Sequence, residues 1–274
     1  SRTFDDVYFR AEEALRLAFK NGIRAIRSHI DSFGLDSDKN WEALNYIKDK
    51  WAGFIELQYV ALVPLDYWQR GEGLLLASRM SAQGGLMGGV IVPPFNKKRT
   101  YEGILQMIDL ANRYHCGVDI HIDEAQSHPA EGLKALINVL DDLKVEISIT
   151  CSHSSSMSLL PSKELRVLAE RLADHEVNVI ALPLTNSWLL GRYPQETPFK
   201  RPLAPISQLQ KAGVNVSVGG DNVQDPWFPS GNFDPISLMS FALPIAQLAP
   251  WQRLGLAPFT TSPALMMDLE WNGT

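Results

Sequence analysis

Short apolar runs recur along the chain at nearly regular intervals, and this regularity is the strongest constraint on the fold. The starts of seven such runs are separated by 29 to 37 residues, close to the length of one strand followed by one helix. The runs are Ile23–Ile30, Leu57–Val63, Leu86–Val92, Val118–Ile122, Ile147–Cys151, Val177–Leu184 and Val214–Val218. They are continuous rather than alternating, as in strands that are buried on both faces. The pattern therefore predicts seven parallel strands with helical crossovers.

The segments between the runs have the periodicity of amphipathic helices. In Pro129–Leu143 and Pro161–His175 the leucine residues fall on one face. Pro129 is expected in the first helical turn, where a missing N–H does no harm. Thr3 is expected to begin a helix before the first run, and Thr261–Trp271 predicts a final helix.

Parallel strands that alternate with helices form either an open doubly wound sheet or a (β/α)8 barrel. Seven evenly spaced units exceed most open sheets, so we favour the α/β barrel of TIM type. A barrel needs eight strands and this chain opens on a helix, so we expect a barrel that lacks its first strand here. Residues 1–274 would then form one domain of strands two to eight and C-terminal helices, without a flanking small β-domain.

Composition and charge argue against several classes of protein. Apolar residues make up 45% of the chain and charged residues 20%, which is typical of a globular domain. A net charge of -6 argues against a nucleic-acid partner, and no apolar run approaches the ~20 residues that span a bilayer. Cys116 and Cys151 cannot form a Cys-x-x-Cys motif. So few cysteines suit a reducing compartment, and we expect a cytoplasmic protein without a membrane partner.

Polar side chains that could carry chemistry lie at the ends of three predicted strands. His121 lies in the fourth run, which leads into Asp123 and Glu124; His153 follows the fifth run and Asp221 the seventh. In a barrel the carboxyl ends of the strands meet at one mouth, where active sites lie. Imidazole and carboxylate groups with room for water suit a catalytic divalent metal ion such as zinc or ferrous iron. The sequence therefore predicts a metal site at this mouth.

Each of these residues also has a purely structural interpretation. Asp221 and Glu124 could cap or begin the helices that follow them, and a lone strand-end histidine is often only a buried polar group. We favour the functional interpretation because all of these positions coincide at predicted strand ends. For His29 and Asp31, which end the first run, both interpretations stay open. The remaining histidines adjoin helix termini and are expected to be structural; they are His115, His128 and His175.

Three segments of the sequence resemble signature segments of cytosine deaminases, which belong to the metal-dependent amidohydrolase superfamily. They are Val118–Glu124, Ser152–Met157 and Gly220–Pro229, in which His-x-x-Glu combines with Asp-Pro-Trp-aromatic-Pro. Weaker similarities run along most of the chain in the same order, at Asn21–Ile23, Arg27–Asp31, Leu57–Ala61 and Gly191–Tyr193. The chain is thus identified as a cytosine deaminase-like member of that superfamily, whose members have a barrel domain.

This resemblance implies a role for each residue of the predicted site. His121 and Asp221 would bind one divalent metal ion, zinc or iron, whose hydroxide attacks the substrate. Glu124 would carry protons between the attacking water and the leaving amine, and His153 would hydrogen-bond the hydroxide or the substrate oxygen. Trp227 would form a wall of the pocket. The chemistry is sound because a metal lowers the pKa of water toward about 7 and an amine leaves poorly without a proton.

The sequence departs from the family pattern in three places. The His-x-His motif, which supplies two further ligands on the family's first strand, does not occur in these 274 residues. Leu65 follows Pro64 where the family has a glutamine that reads the pyrimidine edge, and Asn222 replaces a second aspartate after the last strand. We expect Leu65, Asn222 and Trp227 to contact the substrate, and we expect a substrate other than cytosine itself.

Three hypotheses about function follow. The first is a metal-dependent hydrolase that removes an amino group from a small nitrogen heterocycle, and the second is hydrolysis of a substituted amine or cyclic amide at the same site. The third is an incomplete, non-catalytic barrel, favoured by the missing strand. A phosphate-binding barrel is disfavoured because Asp221 directly follows Gly219-Gly220. The missing metal ligands lead us to expect residues 1–274 alone to be metal-poor and inactive. The unpaired sheet edges lead us to expect them to be poorly soluble or associated as a homo-oligomer.

Overall fold

The computed structural model describes residues 3–270 and places seven strands in one parallel sheet. The strands are β1 (Ala25–Asp31), β2 (Glu56–Pro64), β3 (Leu86–Ile91), β4 (Val118–Ile122), β5 (Ile149–His153), β6 (Asn178–Ala181) and β7 (Val216–Val218). Each strand pairs with the next one along the chain, so β1 and β7 lie at the two ends of the sheet. All seven predicted strands are confirmed, with shifts of at most three residues at their ends.

Helices connect and flank the strands. They are α1 (Phe4–Lys20), α2 (Ser37–Trp51), α3 (Gly71–Gln83), α4 (Lys97–Tyr114), α5 (Glu131–Asp142), α6 (Ser162–Asp174), α7 (Pro183–Leu189), α8 (Ile206–Ala212), α9 (Pro235–Ile245) and α10 (Thr261–Met266). Short 3-10 helices cover Leu65–Gln69, Ser155–Leu159 and Ala257–Phe259. None of the helices in residues 3–270 is long and apolar enough to cross a membrane.

The helix ends test the predictions made from capping residues. Thr3 caps α1 as predicted, because its hydroxyl accepts a hydrogen bond from the N–H of Asp6 at 3.2 Å. The placement of Pro129 was wrong: Ala130 is the N-cap of α5, and the helix begins one residue later. The first turn of α5 is fixed instead by Asp123, whose carboxylate accepts hydrogen bonds from two backbone N–H groups of that turn.

The sheet curls into an incomplete barrel, as side-chain contacts across it demonstrate. Arg27 on β1 and Asp119 on β4 approach to 3.1 Å, and the rings of His29 and His121 on the same strands are 4.4 Å apart. In a flat sheet, strands separated by three spacings of about 4.8 Å would lie roughly 14 Å apart. The predicted (β/α) barrel that lacks one strand is therefore confirmed, with β1 and β7 facing each other across the gap.

A buried polar cluster, the polar floor, lies in the barrel interior; it consists of Arg27, Gln58, Asp119 and Thr150. Arg27 donates hydrogen bonds to the other three and to the carbonyl oxygen of Met266. Gln58 donates to the carbonyl oxygen of Met267 at 2.7 Å. The chain leaves the helical path at Asp268, which has a φ of 55°, so α10 ends at Met266 and is shorter than predicted; Trp271 lies outside the described residues. His29 and His121 are two residues closer to the mouth than Arg27 and Asp119.

Candidate active site

The carboxyl ends of the strands open into a cavity of about 1810 Å³, whose lining also includes residues of α1 and α9 on either side of the gap. Six of the seven residues predicted for the site line this cavity. They are His121, Glu124, His153, Asp221, Asn222 and Trp227. The structure therefore gathers residues that are more than 100 positions apart in the sequence at one barrel mouth.

A tight turn after β4 directs two of these side chains into the cavity. Asp123 has a φ of 55°, and its carboxylate accepts hydrogen bonds from the N–H groups of Gly132 and Leu133 at 2.9 and 2.8 Å. A Cβ at Gly132 would lie 3.0 Å from Asp123 Oδ1, so this close approach requires glycine. Asp123 is thus a helix cap beneath the site, while His121 and Glu124 on either side of it line the cavity.

His153 ends β5 and is held in a strained backbone conformation. His153 and Ser154 have φ values of 72° and 50°, which non-glycine residues adopt rarely and often at functional sites. The His153 ring lies 4.9 Å from the His121 ring, and its Nδ1 atom is 3.5 Å from Oε1 of Glu124. Two of the predicted imidazoles and the predicted proton carrier are therefore neighbours.

Burial shifts the protonation of these groups. Burial, together with the negative charge of Asp221, raises the pKa of Glu124 to about 7. Burial and the neighbouring His29 lower the pKa of His121 to about 4, and burial and His121 hold the pKa of His153 well below its usual value. Both imidazoles are consequently neutral at pH 7, while Glu124 can gain or lose a proton near neutrality. Neutral imidazoles are the form that binds metal ions.

Asp221 and the loop after β7 form the opposite wall of the cavity. Burial raises the pKa of Asp221, while the nearby Thr185 hydroxyl and His29 oppose this rise. Asp225 organises the loop: its carboxylate accepts hydrogen bonds from the Asn222 side chain at 2.6 Å and from the N–H of Trp227 at 2.9 Å. The Trp227 residue itself is 63% exposed, so the wall that it forms faces open solvent.

Leu65 is the one predicted site residue that the structure places elsewhere. A Cβ at Gly103 on α4 would lie 2.8 Å from the Leu65 side chain, and one at Gly89 on β3 would lie 3.6 Å from it. Leu65 therefore packs in the layer between sheet and helix and is not among the residues that line the cavity. The chain enters a 3-10 helix directly after Pro64, and from this helix the Leu65 side chain packs against α4.

The other four histidines fall into two groups, one at the site and one near helix ends. His29, for which both roles stayed open, contacts the ring of His121 and has its Nε2 atom 3.4 Å from Asp119 Oδ1. The three predicted structural histidines lie at helix ends: His115 and His175 close α4 and α6, and His128 pairs with the hydroxyl of Ser127 at 2.8 Å. The strand-end position of His29 was the signal that pointed to the site.

The side chains fit part of a divalent metal site. Nε2 of His153 is buried without a hydrogen-bond partner, which is unusual for an imidazole nitrogen and leaves its lone pair or proton available. Across residues 3–270, however, no group of three or more His, Cys, Asp or Glu side chains is arranged to hold a metal ion. A catalytic zinc site generally uses three protein ligands, so His121 and Asp221 alone would be an incomplete set.

Comparison with known proteins assigns this barrel to a class of hydrolases. The chain belongs to the amidohydrolase family, whose sequence profile matches residues 36–272. It is 28% identical over 265 residues to a pterin deaminase of Rhizobium rhizogenes, a match that covers 96% of this chain and 60% of that protein. It is 23% identical over 274 residues to the N-isopropylammelide isopropyl amidohydrolase of Pseudomonas sp. strain ADP, covering 98% of this chain and 64% of that protein.

The fold is also that of a solved deaminase. The crystal structure of 5-methylcytosine deaminase from Klebsiella pneumoniae, liganded with 5-fluorocytosine, superimposes with a TM-score of 0.84 at 26% identity. The match covers 98% of this chain and 66% of that chain. The chain thus spans about two thirds or less of the length of the relatives that it matches.

Proposed function

We propose that this chain is the barrel of a metal-dependent hydrolase that removes an amino group from a small nitrogen heterocycle. The observation that carries the proposal is the contact of Glu124 with His153, beside His121, in a cavity large enough for a ring-shaped substrate. The names of two relatives, a pterin deaminase and a 5-methylcytosine deaminase, support this class of substrate.

The residues of the cavity divide the work of the reaction. His121 and Asp221 contribute to holding one zinc or iron ion, which supplies Lewis acidity when it is bound. Glu124 takes a proton from the attacking water at a carboxylate oxygen and delivers it to the departing amine nitrogen, and its pKa of about 7 permits both steps. His153 hydrogen-bonds the reacting oxygen, and Asn222 and Trp227 hold the ring of the substrate.

The proposal concerns the whole protein, of which residues 1–274 supply two metal ligands. A catalytic site of this kind needs at least three, so the remaining ligands come from another part of the protein. Residues 1–274 alone are accordingly metal-poor and inactive, and the edges of β1 and β7 favour association with other chains. Cys116 and Cys151 are free, buried thiols, which suits our proposal of a cytoplasmic location.

A second candidate reaction is the removal of a substituted amine from a similar ring. Its support is the similarity to the N-isopropylammelide isopropyl amidohydrolase along nearly the whole chain. The same proton carrier serves both reactions, because an alkylamine needs a proton to leave just as ammonia does. The two candidates differ only in the group that the rim of the cavity accommodates.

The test is metal analysis of the full-length protein together with a screen for released ammonia and released alkylamine. Substrates are pterins, pyrimidines, aminotriazines and their N-alkyl derivatives, and residues 1–274 alone are assayed in parallel. We expect about one divalent ion per full-length chain and release of ammonia from at least one ring. Release of alkylamine only would favour the second candidate. A metal-loaded protein that hydrolyses none of these compounds, or an active 1–274 fragment with one metal per chain, would contradict the proposal.

A further inference from the structure

Asn186 joins two residues of the proposed site through one buried carboxamide. It lies on α7, just after β6, and is fully buried. Its Nδ2 atom is 3.0 Å from Nδ1 of His153 and 3.4 Å from Oε1 of Glu124. Its Oδ1 atom accepts a hydrogen bond from the hydroxyl of Ser155 at 2.8 Å. Asn186 was not predicted for the site, because it lies in a helix after β6 and not at a strand end.

The neighbours of this carboxamide determine which way it faces. A carboxyl oxygen that carries no proton only accepts hydrogen bonds, so the part of Asn186 that donates to Oε1 of Glu124 is the NH2 group. Rotating the amide by half a turn would place its oxygen against the carboxyl oxygen of Glu124, so that two acceptors would face each other. The NH2 group that faces Glu124 also faces Nδ1 of His153.

The direction of this hydrogen bond fixes the tautomer of His153. A ring nitrogen that accepts a hydrogen bond carries no proton, so a neutral imidazole then has its proton on Nε2. Nε2 of His153 is buried and has no partner within the described part of the chain, and the residue lines the cavity. We propose that Asn186 is a positioning residue that holds His153 as the Nε2–H tautomer and anchors Oε1 of Glu124 beside it.

The tautomer has a catalytic consequence, which rests on the proposed function. With its proton on Nε2, His153 donates a hydrogen bond to the oxygen that becomes negative at the reacting carbon, and it does not remove a proton from water. Proton transfer is left to Glu124. Losing one preorganised donor to such an oxygen slows turnover by about 100- to 1000-fold.

The first experiment reads the tautomer directly, without turnover. In the protein labelled with 15N-histidine, nitrogen–proton correlation spectra at pH 7.5 distinguish bare from protonated ring nitrogens, and the His153 signals are assigned from their absence in His153→Gln. We expect a bare Nδ1 and a protonated Nε2. A protonated Nδ1 in the unsubstituted protein would overturn the proposal, even if no variant of Asn186 folds.

The second experiment reverses the hydrogen bond. In Asn186→Asp a carboxylate, which can only accept, replaces the donor, so the proton of His153 should move to Nδ1 and kcat should fall by about 100-fold or more with KM changed less than about threefold. Asn138→Asp makes the same exchange on the exposed face of α5 and should change neither the tautomer of His153 nor kcat. An unchanged tautomer in Asn186→Asp would refute the inference. A predicted tautomer in a protein that hydrolyses nothing would support the inference and contradict the proposed function.

Discussion

The β4–β5 side of the cavity and the β7–α9 side differ in how firmly the fold holds them. On the first side His153 is 2% exposed and Asp119 is fully buried, and both make hydrogen bonds to neighbouring strands or helices. On the second side Trp227 is 63% exposed, and α9 is apolar along its length yet buries only Ala242. The comparison indicates that the sheet fixes the groups that we propose to handle protons, whereas a loop carries Asn222 and Trp227, which we propose to meet the substrate.

The largest effect should come from breaking the polar floor beneath the first side. Asp119→Asn leaves Arg27, whose side chain is 6% exposed, as an uncompensated buried charge. We expect a loss of about 3–5 kcal/mol of the free energy of unfolding in urea titrations. Asp109→Asn removes an exposed ion pair with Arg113 on α4 and should change the free energy of unfolding by less than about 0.5 kcal/mol. Equal effects of the two substitutions would show that the buried pair of Arg27 and Asp119 stabilises the fold no more than an exposed ion pair does.

The next effect concerns chemistry on the same side. Glu124→Gln in the full-length protein should keep its metal content and lower kcat by about 100-fold or more, which corresponds to about 2.7 kcal/mol of barrier. Glu131→Gln makes the same change in the first turn of α5 and should retain full activity, because Glu131 is not among the residues that line the cavity. Near-normal turnover in Glu124→Gln would mean that another group carries the proton.

A smaller effect is expected on the second side, where Asp225 organises the loop. Asp225→Ala removes the acceptor for Asn222 and for the N–H groups of Trp227 and Phe228. We expect KM to rise by about tenfold and kcat to change by less than about threefold, since the loop holds substrate rather than protons. Asn96→Ala removes the N-cap of α4, a helix that contributes no residue to the cavity lining, and should lower stability by about 1 kcal/mol without that rise in KM. A fall in kcat alone for Asp225→Ala would break the proposed division between the two sides.

The smallest effect tests how α1 and α2 are joined near the gap. Burial would raise the pKa of Glu12, but hydrogen bonds from Trp51, Lys50 and Arg16 outweigh it, so the pKa lies below its ordinary value. The ionised carboxylate therefore stabilises the fold at any pH above the ordinary pKa of a glutamate. This contribution is lost as the pH falls through the lowered pKa of Glu12. Glu12→Gln should reduce the free energy of unfolding by about 1 kcal/mol at pH 7 and by progressively less below about pH 4. If the difference in the free energy of unfolding between the two proteins did not depend on pH, the ionised carboxylate of Glu12 would not be its source.

Much of the fold could be predicted because strands buried on both faces leave continuous apolar runs in the sequence. Parallel strands joined by helices then fix the order β1 to β7 without knowledge of any contact. Helix boundaries were less predictable because features outside the local periodicity set them: the carboxylate of Asp123 caps the first turn of α5, and a left-handed residue, Asp268, follows the end of α10.

The candidate site was predictable to the extent that its residues occupy strand ends. His121, Glu124, His153 and Asp221 line the cavity for that reason. The contact of His29 with His121 depends on the curvature of the sheet, which no local pattern encodes. Leu65 was assigned from its position after Pro64, but the backbone turn there decides which way a side chain points, and it points away.

The hydrogen bond from Arg27 to the carbonyl oxygen of Met266 joins residues 239 positions apart, and this has a consequence for synthesis. At about 5–20 residues per second, a ribosome needs roughly 12–50 s to add the residues between them. Throughout that interval the guanidinium of Arg27 lacks one of its hydrogen-bond acceptors. The strand β1 thus gains this contact only after a segment made much later has emerged.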